Sequence, residues 1–436
     1  VQTLRAAGLV LAAADSIERL VPIAIACGCD GAPSPLDGET QRALGLGDAV
    51  AEAYVTAGTG ALRALLVRLD DHVAHRELLP RIAARLAARA PHCLWIVIAT
   101  QRSSRALALM AWVDDRRPPR IAALVVDRAR VVDSDAETLR ALGASAQERD
   151  ILTHARWVEI LGREALSLRF YRALEQGLNV LAESSSHGSS GTRRELALLN
   201  ASRLLFLSFL EAKGWLNGDP AFIAHQFDRC MAWRGRFHGR VLRPLFFGTL
   251  NTPARKRAPD ARDFGRVPFL NGGLFARTPL ERRHRNIEFS DDAYGALLAT
   301  VFTHYRFTAR EESSTWTEAA IDPEMLGRAF ESLMGTGERR RTGAFYTPFA
   351  IVERVADSGL EIALGDRPTR AAVEQLTVLD PACGSGAFLV HVLERLAALR
   401  ARLGDDRDIS IIRRDVLTQS IYGVDVNPTA VWLCEL

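Results

Sequence analysis

VLDPACGSGAFL, Val378 to Leu389, has the grammar of a buried strand that turns sharply into a helix. The apolar run Leu376 to Leu379 reaches Asp380, Gly384 and Gly386 supply the turn, and Ala387 to Leu403 carries helical apolar spacing. A second apolar run, Ser420 to Val424, stops at Asp425. Strand, glycine turn, helix and strand in that order predict the opening of a doubly wound α/β sheet. They also place a ligand at the turn, where helix N-terminal amides point outward.

The acidic residues select the ligand. A carboxylate at Asp380, just before the loop, repels a pyrophosphate but attracts the ammonium and sulfonium charges of S-adenosylmethionine. Leu389 stands where a dinucleotide-binding G-x-G-x-x-G loop has its third glycine. Asp425, ending the next strand, can accept both ribose hydroxyls of an adenosine. It lies 39 positions after Gly386, against roughly 20 in a minimal unit, so Gly404 to Gln419 reads as an insertion. S-adenosylmethionine is the expected cofactor; either aspartate taken alone would read as a turn cap.

At 436 residues the chain is too long for one hydrophobic core, and 48% apolar with 25% charged residues fits a folded rather than a disordered protein. The longest apolar stretches, Leu20 to Cys27 and Cys93 to Ala99, fall short of the roughly 18 residues a bilayer span needs. Six scattered cysteines make no disulfide framework and suit a reducing cytoplasm. Cys27-Gly-Cys29 lacks a second Cys/His pair at ligand spacing, so buried thiols are expected there rather than a metal. The net charge of +3 is unevenly spread. Arg229 to Arg285 holds 14 Arg and Lys against Asp260, Asp263 and Glu281, a net +11, which leaves −8 for the rest. Trp233, Phe237, His238, Phe246, Phe247 and Phe269 interleave with these cations, a mixture suited to phosphate contacts with apolar anchoring, or else to a solvated arginine-rich surface.

Along the chain, Ala6 to Ala14 reads as an amphipathic element and Ala49 to Ala90 as helical. Cys93 to Thr100, Arg105 to Val113, Ile121 to Val126 and Arg130 to Val132 read as strands of a meander or hairpin sheet. Residues 1–150 are thus expected to form a small α+β domain. Ile151 to Glu183 is helical, Ser184 to Thr192 an exposed linker, and Arg193 to Gly214 a long amphipathic helix within a helical connector that runs to 335. Helices are expected at Met325 to Met334 and Phe349 to Ala363, and the cofactor-binding domain begins at 336.

Three motifs together carry a family resemblance. VLDPACGSGAFL resembles motif I of the gamma-type adenine-N6 DNA methyltransferases, TGAFYTP (Thr342 to Pro348) resembles their motif X, and IYGVDVNP (Ile421 to Pro428) their motif II. Their order is similar to that of the fused type IIG restriction-modification and phage-exclusion methylases. Leu204 to Leu216, Arg243 to Asn251, Val267 to Phe275 and Ile321 to Leu333 resemble the helical region before the methylase core of those proteins. The resemblance implies a Rossmann-like methyltransferase core, incomplete at the C-terminus, preceded by a helical domain and a small α+β domain. It implies that Phe345, Tyr346 and Thr347 hold the methionine end of S-adenosylmethionine. Asp380, Ala382, Gly384, Ser385 and Gly386 would line the cofactor, Asp425 would bind its ribose, and Val426 and Asn427 would flank the adenine ring.

The family's Asn/Asp-Pro-Pro-Tyr/Phe motif, which holds a flipped adenine, is absent, and Asn427-Pro428-Thr429-Ala430 lacks its second proline and aromatic. No catalytic residue is therefore assigned, and the chain is expected to be a fragment or one half of a split enzyme, inactive alone. Relatives with an N-terminal nuclease need a lysine near a metal-bound water. Lys213 and Lys256 are the only lysines, and Asp127, Asp133 and Asp135 have no Glu-x-Lys partner, so a degenerate nuclease-like domain is expected. Double-stranded DNA and other defence-system subunits are the implied partners. The rival reading is a non-catalytic DNA-binding or scaffolding subunit with a vestigial or regulatory cofactor pocket.

Overall fold

The computed structural model describes residues 3–44, 46, 49–70, 75–101, 104–113, 119–146, 149–270, 273–308, 316–323, 325, 347–426, 430–431 and 434. It is a mixed α/β structure with one large sheet, one small sheet and many helices. Compactness groups Val1–Val241 with Asn286–Pro323, and Leu242–Arg285 with Glu324–Leu436.

The first unit is organised by a seven-stranded sheet in the order β1 (Ser34–Pro35), β2 (Val50–Ala57), β3 (Leu62–Leu69), β4 (Leu94–Gln101), β5 (Ala106–Val113), β6 (Arg120–Asp127) and β7 (Trp316–Glu318). The β3–β4 and β6–β7 pairs are parallel and the others antiparallel. Because side chains alternate across a strand, the central strands feed two cores. Leu62, Ala64, Leu66, Ile96, Ile98, Leu107, Leu109, Leu124 and Val126 share a core with residues of α1 (Leu4–Ala13), α2 (Ile17–Ala26), α5 (Asp133–Ser145) and α6 (Asp150–Leu161). Their neighbours Leu65, Val67, Trp95, Val97, Met110 and Trp112 share the other with α4 (His75–Arg89), and the short α3 (Gly38–Ala43), capped by Asp37, lies between β1 and β2 in the chain. Both faces are thereby removed from water, which is where most of the stability of a sheet arises.

Two expectations are corrected here. Val50–Ala57 and Leu62–Leu69 are strands, not part of a helix over Ala49 to Ala90; only His75–Arg89 of that stretch is helical. Leu62–Leu69 is buried on both faces, so it lacks the alternation that marks a half-buried strand. Arg130 to Val132 is not a strand but the approach to α5, with Val132 as its N-cap. The strands near Cys93 to Thr100, Arg105 to Val113 and Ile121 to Val126 occur with ends shifted by a residue or so. Ala7 and Leu11 bury one face of α1, as an amphipathic element should.

The helical part begins with α6 and α7 (Arg163–Glu183), separated at Gly162, and continues with α8 (Ser190–Ala212) and α9 (Phe222–Ala232). Ser189 caps α8 by accepting from the Thr192 amide, so the helix already claims the end of the Ser/Gly linker. Later residues return to the sheet. Arg306 donates to the buried Asp135 from Nε at 2.9 Å and also forms an ion pair with it, and Arg76 pairs with Glu318 at 2.6 Å.

In the second unit, Phe349–Leu364, Arg370–Gln375, Ala387–Arg402 and Ile409–Gln419 are helices. Strands β8 (Val378–Asp380) and β9 (Ile421–Gly423) pair in parallel, Val378 opposite Ile421 and Asp380 opposite Gly423. Val378 and Ile421 face a core of Leu360, Val373, Val392, Leu396, Ile412 and Val416. The residues read as an insertion between helix and strand hold the Ile409–Gln419 helix, capped by Asp408.

Candidate functional site

The turn after β8 is built by hydrogen bonds that its own residues dictate. Asp380 Oδ1 accepts from the Ala382 amide at 3.0 Å, bending the chain at the strand's end as aspartates do in turns. The Val424 amide donates to the Asp380 carbonyl and the Cys383 amide to the Val424 carbonyl, both at 2.9 Å, so the turn stays in register with β9 beyond the last strand residue. Asp425 Oδ2 then accepts from the Gly384 amide at 2.9 Å. This contact ties the two strand ends together through a carboxylate. The sequence reading does not anticipate it, although a carboxylate facing a glycine-rich turn is a signal that could have suggested it.

Gly386 is the N-cap of the Ala387–Arg402 helix and adopts φ +92°, a left-handed conformation that disfavours any residue with a Cβ. A Cβ there would come within 2.7 Å of Cys434 Sγ. The need for glycine at this position is therefore imposed by the protein's own packing as much as by a ligand. Gly384 is also left-handed at φ +54°. The Cys383 thiol is buried beneath the turn, and that burial pushes its pKa up, so it acts as packing rather than as a nucleophile.

Asp380, Gly384, Ser385 and Asp425 are half-buried, Ala382 is exposed, and Val426 is 80% exposed. The structure thus brings Asp380, Ala382, Gly384 and Asp425 into one hydrogen-bonded unit at the C-terminal end of a parallel strand pair. Phe345, Tyr346 and Asn427 lie outside the described residues, as do residues 326–334 of the helix expected from Met325 to Met334. Thr347 is half-buried and directly precedes Pro348, the N-cap of the Phe349–Leu364 helix. That helix is tied to the helix after the turn: Asp357 Oδ1 receives Arg395 Nε at 2.7 Å and lies 3.1 Å from His391 Nε2.

The residues fit S-adenosylmethionine by their donor and acceptor chemistry. Two carboxylates border the turn, and the following helix has no acidic residue in its first turn, so its amides face outward with positive polarity. A carboxylate has about four lone-pair positions, so Asp425 can hold the loop amide and ribose hydroxyls together.

The remaining sequence candidates take structural roles. Asp127 Oδ1 accepts from the Ala129 amide at 3.0 Å, and Asp133 pairs with His304 at 3.4 Å. Asp135, fully buried, accepts from the Val132 amide and pairs with Arg306. Among the described residues no group of three or more His, Cys, Asp or Glu is arranged to hold a metal ion. Cys27 and Cys29 are buried in the core, and their thiol pKa values are raised, mainly by burial, to about 12 for Cys29. Of the aromatics read as anchors in the basic segment, Trp233 and Phe269 are exposed, whereas Phe237, His238 and Phe246 are buried. The latter three belong to the interior and not to a binding face.

A parallel strand pair, with a glycine turn after the first strand and a carboxylate at or just beyond each strand end, is an arrangement of α/β architecture in which open sheets place ligands at the strands' carboxyl ends. Residues 321–436 match the family described as N-6 DNA Methylase. The members of this family generally use S-adenosylmethionine. The chain is 25% identical over 300 residues to the "Putative type II restriction enzyme and methyltransferase RM.MjaORFECS2P" of Methanocaldococcus jannaschii, covering 58% of this chain and 25% of that protein. It is 30% identical over 106 residues to the adenine-specific methyltransferase PglX of Streptomyces coelicolor, 24% of this chain and 8% of that one. The chain thus spans a quarter or less of the curated relatives it matches. Among solved structures it is similar to the type IIL restriction-modification enzyme MmeI in complex with DNA, at 21% identity and TM-score 0.39, covering 61% of this chain and 35% of that one. It also resembles the DrdV–DNA complex, at 14% identity and TM-score 0.28, over 96% of this chain and 34% of that one. No helix of the described residues is long and apolar enough to cross a membrane.

Proposed function

We propose that this chain is part of an S-adenosylmethionine-dependent adenine-N6 DNA methyltransferase acting in restriction-modification or phage defence. The observation that carries the reading is the Asp425 to Gly384 contact, which sets a carboxylate against a glycine turn at the mouth of a parallel strand pair. S-adenosylmethionine supplies the methyl group. Asp380, Ala382, Gly384, Ser385 and Gly386 line its site; Asp425 holds the ribose; Val426 and Asn427 flank the adenine ring; Phe345, Tyr346 and Thr347 hold the methionine end. The labour divides along the chain, with a degenerate nuclease-like domain in 1–150, a connector with a DNA-facing basic segment in 151–335, and cofactor binding in 336–436. Double-stranded DNA is the partner, and the groups that hold the target adenine come from outside the motifs present here.

Calorimetric titration of the 436-residue chain with S-adenosylmethionine tests the reading. Micromolar binding is expected, with a loss of at least about tenfold, or about 1.4 kcal/mol, in Asp425→Ala. Absence of binding to the parent chain, together with intact salt-dependent DNA binding, would favour a scaffolding subunit instead.

A further inference from the structure

The basic segment is continuous in sequence but is two different things in the fold. Its first part, Arg229, Arg234, Arg236 and Arg240, lies with the first unit. There its four arginines meet three carboxylates, Asp228 beside Arg229 in sequence and Glu288 and Asp291 by contact with Arg236. Arg236 pairs with Glu288 at 3.3 Å. Both oxygens of Asp291 accept main-chain amides, those of Arg236 and Phe237, each at 2.7 Å. They clamp a run of three left-handed residues, Arg234, Gly235 and Arg236, at φ 77°, 72° and 68°. Arg240 donates back to the Trp233 carbonyl at 2.7 Å. A charge of only +1 and these bonds explain this part as structure.

The second part, Leu242–Arg285, is grouped with the methylase segment and holds ten basic residues against Asp260, Asp263 and Glu281, a net +7. It contains little regular structure, yet it is held together. Leu245, Phe246, Leu250, Phe264, Val267, Leu274 and Phe275 are buried, and the Phe246 and Phe275 rings pack with centroids 5.6 Å apart. Buried Arg257 staples the loops by donating to the carbonyls of Thr252, Val267 and Pro268 at 3.1, 3.1 and 3.2 Å. Arg262 and Arg282 likewise donate to main-chain carbonyls. Such bonds fix a cation in place without cancelling its charge. Arg255, Lys256, Arg262, Arg277, Arg282, Arg283 and Arg285 are all exposed, and none is ion-paired to a described residue. An exposed, uncancelled set of cations on a fixed scaffold is what releases counterions from a polyanion.

We infer that Leu242–Arg285 is a phosphate-backbone clamp for duplex DNA and that the arginines at 229–240 are not part of it. The inference rests on the DNA-methyltransferase reading above and narrows it to one surface. The expected contacts are to backbone phosphates and position the duplex.

The test is binding of a labelled duplex of about 30 base pairs to the 436-residue chain, measured by fluorescence anisotropy across a sodium chloride series. Arg255→Ala/Lys256→Ala and, separately, Arg282→Ala/Arg283→Ala are compared with Arg229→Ala/Arg234→Ala, with circular dichroism confirming equal folding. The expected result is a loss of about tenfold in each module variant, with the slope of log affinity against log salt falling by about 2, and no change in the Arg229/Arg234 variant. Arg255→Gln/Lys256→Gln serves as a second neutralising pair should the alanine variant fold poorly. Equal losses in all variants, or a loss confined to Arg229/Arg234, would overturn the division while leaving the DNA-binding reading intact. A parent chain without salt-dependent duplex binding would instead overturn the reading itself.

Discussion

The two sheets of this protein, one mixed and one parallel, solve the same packing problem to different degrees. In the seven-stranded sheet, adjacent residues of β4, such as Val97 and Ile98, are each fully buried on opposite faces, one against α4 and the other against the helices led by α1 and α6. In the β8–β9 pair, Val378 and Ile421 face a core, but their neighbours Leu379 and Tyr422, cross-strand partners, are 61% and 53% exposed. Val424 and Val426 extend that exposed apolar line. A parallel sheet ordinarily owes its stability to cover on both faces. The closed sheet is therefore built for stability. The pair with one covered face contributes its strand ends, where the glycine turn and both aspartates sit.

The sharpest way to break that comparison is to delete equivalent bulk from each. Ile98→Ala should destabilise the first unit by about 2–5 kcal/mol, because it leaves a cavity in a core packed on all sides. Leu379→Ala should cost no more than about 0.5 kcal/mol, since its side chain already meets water. Urea denaturation of the full chain, followed by circular dichroism, reads both. A Leu379→Ala loss as large as that of Ile98→Ala would mean that the outer face of β8 is covered after all.

The parts that were legible in the sequence share one property: their chemistry is local. Gly384, Gly386, Asp380 and Asp425 announce a turn between strand and helix whatever surrounds them, and the structure joins Gly384 to Asp425 directly. Leu62–Leu69 was not legible, because burial on both faces erased the period-2 signal and left a run dominated by leucine, alanine and arginine that also suits a helix. Strand β7 was invisible for a different reason. Trp316–Glu318 joins β6 from nearly 200 residues away in sequence, as the Ile121 to Trp316 pairing records, and no local pattern encodes such a partner. Aromatics posed the same limit, since nothing in sequence separates exposed Trp233 from buried Phe237.

Closure of the first unit has an electrostatic counterpart on α8. Glu211 is buried, accepts the Ile223 amide at 2.6 Å, and has its pKa pushed up to about 7 by that burial. Between the two pKa values the folded state therefore holds a proton that the unfolded chain has released. Stability should fall as pH rises from about 4.5 to about 7 and level off above that. Glu211→Gln keeps the acceptor and removes the titration. It should flatten this dependence and raise stability at pH 8 by up to about 3 kcal/mol. Thermal unfolding at about pH 5 and pH 8 checks this; parallel shifts in parent and variant would show that water reaches the carboxyl and that the unit is less closed than its packing indicates.

On the open side the corresponding probe is Gly386. Alanine there must take φ +92° and push against Cys434 Sγ. The left-handed backbone costs about 1–2 kcal/mol, and relief is available only by displacing the turn or the Cys434 sulfur. Because one face of the β8–β9 pair is exposed, the strain should emerge as movement of the turn proposed to hold the cofactor rather than as global unfolding. The expected signature is S-adenosylmethionine affinity lowered about tenfold with a urea midpoint for the first unit unchanged. Adding Cys434→Ala removes the steric part of the strain but not the backbone part, so it should restore affinity only partly. Full restoration would show that crowding by the sulfur, and not the left-handed conformation, is what demands glycine at the head of this helix.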